Sequence, residues 1–302
     1  MAGGAIWGAA LLGVRPAPTD TAWAVALLLL APLVLVPCGL GLLGPSLPAA
    51  SARGAWRLAV VLQFPAALLL GVGFCLARGL PAVLLALPWL GVTALLAWLG
   101  LGRLRRGWSE LGPRAALGYV SVGAFWAVLD RGGVRPLGFE PVIVLLTAIH
   151  FHFAGFALPL LTGLAARRVE GRRAWLAVMG GVVAVPLVAV GITATQLRAG
   201  PWLECGAAGL MAVAGGLTGY LYFRLACQPS WPPLVRGLWG VAAVSLTGSM
   251  VLAALYGVRF FLPLPWLDIP TMRAWHGTAN ALGFGLAGSI GWALAWPPVP
   301  GD

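Results

Sequence analysis

Residues 174–197 read AWLAVMGGVVAVPLVAVGITATQL and carry no charged side chain. Arg172 and Arg173 precede this stretch, and Arg198 follows it. Roughly 20 apolar residues in an α-helix cross the hydrocarbon core of a bilayer, whereas charged groups stay in the water at its edges. The stretch therefore predicts a transmembrane helix with arginine at both ends.

The rest of the chain repeats this pattern. Of its 302 residues, 60% are hydrophobic and 9% are charged, with a mean hydropathy of +0.93. A soluble domain carries roughly 25% charged residues, and a disordered chain combines low hydrophobicity with high charge, so both classes are excluded. We predict an all-α polytopic transmembrane helical bundle of about nine spans (eight to ten), forming a single integral membrane domain over residues 1–302. The predicted spans are 21–44, 56–76, 80–101, 114–130, 140–166, 174–197, 202–226, 235–258 and 273–296.

The charges between the spans indicate an orientation. The 19 basic residues are all arginine, and against 8 acidic residues they give a net charge of +11. They lie in short clusters between apolar runs, which is typical of membrane loops rather than of nucleic-acid binding, so no nucleic-acid partner is predicted. The side with more arginines is predicted to be cytoplasmic, which places the C-terminus inside and the N-terminus outside. The predicted outer side holds Arg15, Arg78, Arg131, Arg135, Arg198, Arg259 and Arg273, together with Asp20, Asp130, Glu140, Glu204 and Asp268.

Some segments depart from a uniform set of regular spans. Residues 4–14 are apolar but too short to cross, and they fit an interfacial segment, a short tenth span or a re-entrant piece. Prolines inside apolar runs predict kinks, and helices broken in this way could also surround a binding cavity. Glycines recur at spacings that let helices approach closely in lipid. The prolines are Pro32, Pro37, Pro65, Pro159 and Pro186, and the glycines include Gly180, Gly181, Gly215, Gly216, Gly219, Gly283, Gly285 and Gly288.

Two of the three histidines lie near the middle of span 140–166. His150 and His152 are two residues apart and therefore point about 200° apart on a regular helix. They could bind one metal ion only if the helix were locally unwound, so no metal site or cofactor is predicted. Ionisable groups at this depth usually face a cavity or a partner. The alternative interpretation is a pair of neutral, hydrogen-bonded histidines that stabilise helix packing.

The third histidine forms a second candidate segment. His276 and Asn280 are four residues apart and share one helix face, with Gly277 leaving room for close approach. Both histidine-bearing spans begin on the predicted outer side, so His150, His152 and His276 could line one outward-opening cleft at different depths. Asp130 closes a predicted span at the same side and is the best candidate for an acid or base partner, although such charges are normally only solvated.

These residues resemble a known family. The segments His150-Phe-His152-Phe-Ala-Gly155-Phe and His276-Gly277-x-x-Asn280-Ala-Leu-Gly283-Phe284 are similar to the signature segments of the YndJ-like bacterial membrane proteins. The resemblance implies a multi-pass protein of the bacterial inner membrane. It also implies that His150, His152, His276 and Asn280 form one functional set, and it names no substrate.

Three classes of function are compatible with the sequence. The favoured hypothesis is an intramembrane enzyme that uses His150, His152, His276, Asn280 and Asp130 for general acid–base chemistry on a lipophilic small molecule, as an isomerase, cyclase or hydrolase. The alternative is a transporter of a small hydrophobic or amphipathic molecule, and the third class is a scaffold. No carboxylate lies in the middle of a predicted span, which disfavours a proton-coupled carrier of the usual kind.

Overall fold

A computed structural model describes residues 2–44, 50–102 and 107–295, and every regular element in these ranges is helical. The arginines at positions 103, 105 and 106 lie outside the described residues. The helices are α1 (Ala2–Val14), α2 (Thr21–Leu43), α3 (Ala50–Cys75), α4 (Leu80–Gly102), α5 (Leu111–Arg131), α6 (Pro141–Ala166), α7 (Arg172–Gln196), α8 (Trp202–Ala226), α9 (Pro233–Gly257) and α10 (269–295).

The helices confirm the predicted all-α membrane fold. Seven of those in the described residues, α2–α4 and α6–α9, are long and apolar enough to cross a membrane. The helices α5 and α10 cover the other two predicted spans, and α5 is the more polar because it carries Arg114, Asp130 and Arg131. About nine spans is therefore approximately consistent with the structure. The short helix α1 has 13 residues, fewer than a crossing needs.

The chain divides into two compact units. Unit 1 comprises Met1–Ala157, and unit 2 comprises Leu158–Asp302. In unit 1, α3 packs on α4, α4 on α5, and α5 on the first half of α6. In unit 2, α7 packs on α8, α8 on α9, and α9 on α10. The single membrane domain over the whole chain stays a prediction.

Glycines allow several of the close contacts in unit 2. A Cβ at Gly191 of α7 would lie 2.6 Å from the Cα of Glu204 on α8. A Cβ at Gly219 of α8 would overlap Thr247, and one at Gly283 of α10 would overlap Ser245. The predicted role of glycine in packing is confirmed at Gly219 and Gly283, because only a residue without a side chain fits there.

Two prolines follow widened turns within their helices. A π-turn at Ala31–Leu35 ends two residues before Pro37, and another at Phe153–Ala157 ends two residues before Pro159. A proline ring clashes with the carbonyl four residues earlier, and a wider turn relieves this clash. The helices α3 and α7, in contrast, remain α-helical through Pro65 and Pro186. The prolines alone therefore do not determine where a helix departs from regular geometry.

A side chain replaces the hydrogen bond that Pro37 cannot make. In the widened turn of α2, the Val36 N–H donates to the carbonyl of Ala31. In the same register, the donor to the carbonyl of Pro32 would be the N–H of residue 37. Proline has no N–H, and the Nε2 of Gln63 on α3 donates to the Pro32 carbonyl instead. Gln63 is buried, which explains why this polar side chain lies in an apolar helix.

We expect Gln63→Leu to lower the free energy of unfolding by about 1–3 kcal/mol, because the buried Pro32 carbonyl loses its donor. Adding Pro37→Ala should recover much of this loss, since an alanine at that position supplies the missing N–H. Thermal unfolding of the purified protein in detergent measures both effects, with the exposed position Val61→Ala on the same helix as a control. A Gln63→Leu variant as stable as the control would contradict this account.

Candidate functional site

His152 is enclosed within unit 1 and uses both ring nitrogens. It lies at the end of the α-helical half of α6, directly before the wide turn Phe153–Ala157, and it is fully buried. The Nε1–H of Trp89 donates to Nε2 of His152 at 3.0 Å, while Nδ1 lies 2.8 Å from the carbonyl of Ala148. Because Nε2 accepts and Nδ1 donates, this geometry fits a neutral ring with its proton on Nδ1.

Gly123 makes room for this histidine. A Cβ at Gly123 of α5 would lie 2.6 Å from Nδ1 and 2.9 Å from Cε1 of His152. The indole of Trp89, which donates to Nε2, lies nearly parallel to the imidazole, with ring centroids 6.0 Å apart and planes inclined by 17°. His152 therefore joins α4, α5 and α6 through packing and hydrogen bonds. For His152, this geometry fits the alternative interpretation of a neutral histidine that stabilises helix packing.

His150 lies in a different environment from His152. The segment Pro141–His152 is a regular α-helix, so the two side chains project about 200° apart. His150 is half-buried, and its ring meets Phe151 edge to face at 5.3 Å. Across residues 2–44, 50–102 and 107–295, no three His, Cys, Asp or Glu side chains come together in a group that could hold a metal ion.

Asp130 is buried at the end of α5, where it pairs with the buried Arg131 and the exposed Arg78. Its Oδ1 accepts from Nη2 of Arg78 at 2.8 Å, and its Oδ2 accepts from Nε of Arg131 at 2.9 Å. The Arg131 guanidinium also lies 4.1 Å from the ring centroid of Phe74 and approaches the carbonyl of Leu76 at 3.4 Å. In the part of the chain that is described, the carboxylate of Asp130 accepts hydrogen bonds from these two arginines. The bond from Arg78 ties the loop between α3 and α4 to the end of α5.

His276 lies in a polar network on α10. Its Nδ1 is 2.8 Å from the carbonyl of Ser249 on α9, and its Nε2 is 3.0 Å from Nδ2 of Asn280. The hydroxyl of Ser249 donates to Oδ1 of Asn280 at 2.7 Å, which closes the network. The predicted common face of His276 and Asn280 is present. Both side chains remain half-buried, so part of each is accessible.

The same atoms satisfy two protonation states of His276. With a neutral ring, Nδ1 donates to the Ser249 carbonyl and Nε2 accepts from Asn280. If the Asn280 amide turns over, its oxygen accepts from a protonated Nε2 while its NH₂ group donates to the Ser249 hydroxyl. That hydroxyl then donates to the carbonyl of Leu246, which lies 2.8 Å away. Every polar group would keep a partner in both states, so protonation of His276 would leave none of these groups without a hydrogen bond.

Irregular helix geometry accompanies both histidine segments. His152 directly precedes the wide turn Phe153–Ala157. His276 lies within the wide turn Arg273–Gly277, and Asn280 lies within the wide segment Ala279–Leu286. Wide turns are rare in proteins and are frequent at functional sites. In α10 no proline lies within or directly after the wide turns, whereas the turns in α2 and α6 each end two residues before a proline.

Several residues of these clusters have no distinguishing signal in the sequence. Trp89 and Gly123 lie on other helices than His152, and Arg78 lies in the loop before α4. The spacing along the chain does not connect any of them with the group it contacts. Ser249 is one of several serines and threonines on apolar helices. Only the packing of α9 against α10 places it beside His276.

The chain matches the family described as YndJ-like protein over residues 26–284. It belongs to the YndJ-like family. The matched range contains His150, His152, His276, Asn280 and Asp130. A curated relative, "Uncharacterized membrane protein YndJ" of Bacillus subtilis (strain 168), is 29% identical over 179 residues, which cover 58% of this chain and 31% of the relative. The aligned part thus spans about a third of that relative's length, and no solved structure matches the chain.

In this YndJ-like protein, Gly123→Ala should destabilise unit 1 because the new methyl group would overlap His152. Gly118→Ala is a matched control on the same helix, since a Cβ there meets nothing within 4 Å. We expect the control to be neutral or slightly stabilising, by up to about 1 kcal/mol, and Gly123→Ala to lower the unfolding temperature clearly. Equal unfolding temperatures for the two variants would contradict the packing role of His152.

Asp130→Asn should also destabilise this YndJ-like protein, by about 3 kcal/mol, because it leaves the buried guanidinium of Arg131 without its counter-charge. Glu140→Gln is the matched control, since Glu140 pairs with Arg135 at 2.8 Å but both side chains are exposed. An exposed pair contributes at most about 1 kcal/mol. Chemical or thermal unfolding in detergent measures the difference, and an equal loss in both variants would argue against a structural role for Asp130.

Proposed function

We propose that this membrane protein acts on a lipophilic small molecule by proton transfer at His276. The observation that carries the proposal is the half-buried network of His276, Asn280 and Ser249, in which each side chain is hydrogen-bonded and a turn of the Asn280 amide would accommodate a protonated ring. Histidine suits general acid–base chemistry near neutral pH, and the apolar surroundings suit a lipophilic substrate.

The three residues have distinct roles in this proposal. Nε2 of His276 is the atom that accepts and returns the proton, since Nδ1 is held by the Ser249 carbonyl. A substrate group that takes the place of the Asn280 amide at Nε2 would meet the lone pair of the ring. The displaced Asn280 amide would then donate a hydrogen bond to negative charge that develops on the substrate.

The other sequence candidates contribute less to such chemistry. His152 is fully buried with both nitrogens engaged, and Asp130 is paired with two arginines. We therefore assign both to the stability of unit 1. The reaction classes that need only an acid and a base are isomerisation, cyclisation and hydrolysis, and the proposal invokes no cofactor. Transport of a small hydrophobic or amphipathic molecule is the alternative proposal.

We further propose that the protein lies in the bacterial inner membrane with its C-terminus in the cytoplasm. The excess of arginine on one side supports this orientation. Ion pairs between distant positions agree with the assignment of residues to sides, because Arg78 pairs with Asp130 and Arg259 pairs with Glu204. All four of these residues were predicted to lie on the outer side.

A comparison of membrane extracts tests the proposed chemistry. A bacterial host would express the full chain, His276→Gln, or the control Ile290→Val at an exposed position of the same helix. Mass spectrometry of the lipophilic compounds should show one compound depleted and a related compound gained with the wild type and the control. The exchange should be absent with His276→Gln, because glutamine cannot transfer the proton.

Two other outcomes would overturn the enzyme proposal. If His276→Gln causes the same exchange as the wild type, His276 is not the proton-transfer group. If no compound is converted but one moves between cells and medium, the result favours the transporter. Correct folding of each variant is checked by its thermal unfolding, so that loss of protein is not mistaken for loss of activity.

A further inference from the structure

Arg273 is a buried arginine at the start of α10. It lies one turn beyond the first residue of the helix, its exposed fraction is 9%, and its Nε has no hydrogen-bond partner among the described residues. A guanidinium is always charged in proteins and presents five donors. A charge that is removed from water is strongly disfavoured unless a counter-charge accompanies it. The burial of Arg273 therefore calls for an anion.

The other arginines of the predicted outer side are either paired with a carboxylate or exposed. Arg78, Arg131, Arg135 and Arg259 each pair with a carboxylate within 4 Å. Arg15 and Arg198 are exposed to the surroundings. Arg273 is thus distinguished by being buried while forming no ion pair within the part of the chain that is described.

The nearest acidic residue along the chain is already engaged. Asp268 is the N-cap of α10, and its Oδ1 accepts from the backbone N–H of Thr271 at 2.8 Å. This hydrogen bond, together with the positive charge of Arg273, lowers the pKa of Asp268, so its carboxylate is ionised and held at the cap. Asp268 makes no ion pair with Arg273 in the described structure, and its exposed charge is screened by water.

Arg273 is also close in sequence to the proposed reactive group. Arg273 and His276 are three residues apart and lie in the same wide turn, Arg273–Gly277. At about 1.5 Å per residue, His276 lies only about 4.5 Å deeper along the helix axis than Arg273. An elongated ligand whose anionic group is bound by Arg273 at the end of the span is therefore long enough to reach the depth of His276.

We propose that Arg273 binds an oxyanion, a phosphate or a carboxylate, that belongs to an amphipathic ligand whose apolar part lies beside His276. The planar guanidinium matches the two oxygens of either group and makes short, charge-assisted hydrogen bonds. Anion binding stands on the burial of Arg273 alone. The statement that the ligand is the substrate rests on the proposed function.

Thermal unfolding of the full chain in phosphatidylcholine nanodiscs tests the anion site. Three probes are compared: inorganic phosphate, oleate, and phosphatidylglycerol mixed into the nanodisc. At least one probe should raise the unfolding temperature of the wild type, because a ligand that binds only the folded state stabilises it. The probe that does so distinguishes a soluble anion from a fatty acid or a lipid headgroup.

The variants assign this effect to the side chain. Arg273→Gln should weaken the apparent affinity by at least about tenfold, as expected when hydrogen bonds to a charged group are lost. Arg198→Gln is the control, since it removes the same charge from an exposed position. Arg273→Lys should recover part of the affinity, because it keeps the charge without the planar fork, and it serves as the second variant if Arg273→Gln does not fold.

The proposal is overturned if no probe stabilises the wild type, or if a probe stabilises Arg273→Gln as much as Arg198→Gln. If Arg273→Lys is the only variant of this residue that folds, the proposal is overturned when Arg273→Lys binds the probe as tightly as the wild type. The proposed chemistry is judged separately, since His276→Gln should retain the anion-dependent rise in unfolding temperature. Anion binding without any conversion of a lipophilic compound would keep the anion site and reject the proton-transfer function.

Discussion

A polar group inside a bilayer has no water to bond with, so the chain itself must supply a partner for each one. In the described structure, individual side chains bond to backbone groups on neighbouring helices. Gln63 donates to the Pro32 carbonyl, for which Pro37 provides no N–H. In unit 2, the Tyr222 hydroxyl donates to the Leu161 carbonyl and accepts from Trp292 Nε1 at 2.8 Å. Such bonds specify which helices pack together where apolar surface alone would not.

The same requirement separates the histidines by role. His152 has one donor and one acceptor fixed in place by Trp89 and Ala148, so a change in its protonation would break a buried bond. His276 has a partner, Asn280, whose amide can present either an acceptor or a donor. The chemistry of the two imidazoles is identical. The surroundings of His152 fix one tautomer that holds helices together, whereas the Asn280 amide can offer His276 either a donor or an acceptor.

The arginines follow a similar division. Asp130 and Glu204 are buried beside arginines, where each pair offsets the desolvation of its charges. Other arginines bond to carbonyls at helix ends, as Arg236 does with Ala226 at 2.9 Å. Arg273 forms neither an ion pair nor a hydrogen bond to a carbonyl in the residues that are described. This difference is the reason for proposing an anionic ligand at Arg273.

The sequence by itself determined the helical class, the approximate spans and the common face of His276 and Asn280. These properties depend on local composition and helical periodicity, which any window of the chain displays. It could not decide that His152 would be enclosed, that Gly123 would make space for it, or that Ser249 would complete the network of His276. Those contacts join residues from 27 to 63 positions apart. Only tertiary packing decided them, because hydrogen bonds between helices depend on which faces meet, and apolar helices of similar composition do not encode that choice locally.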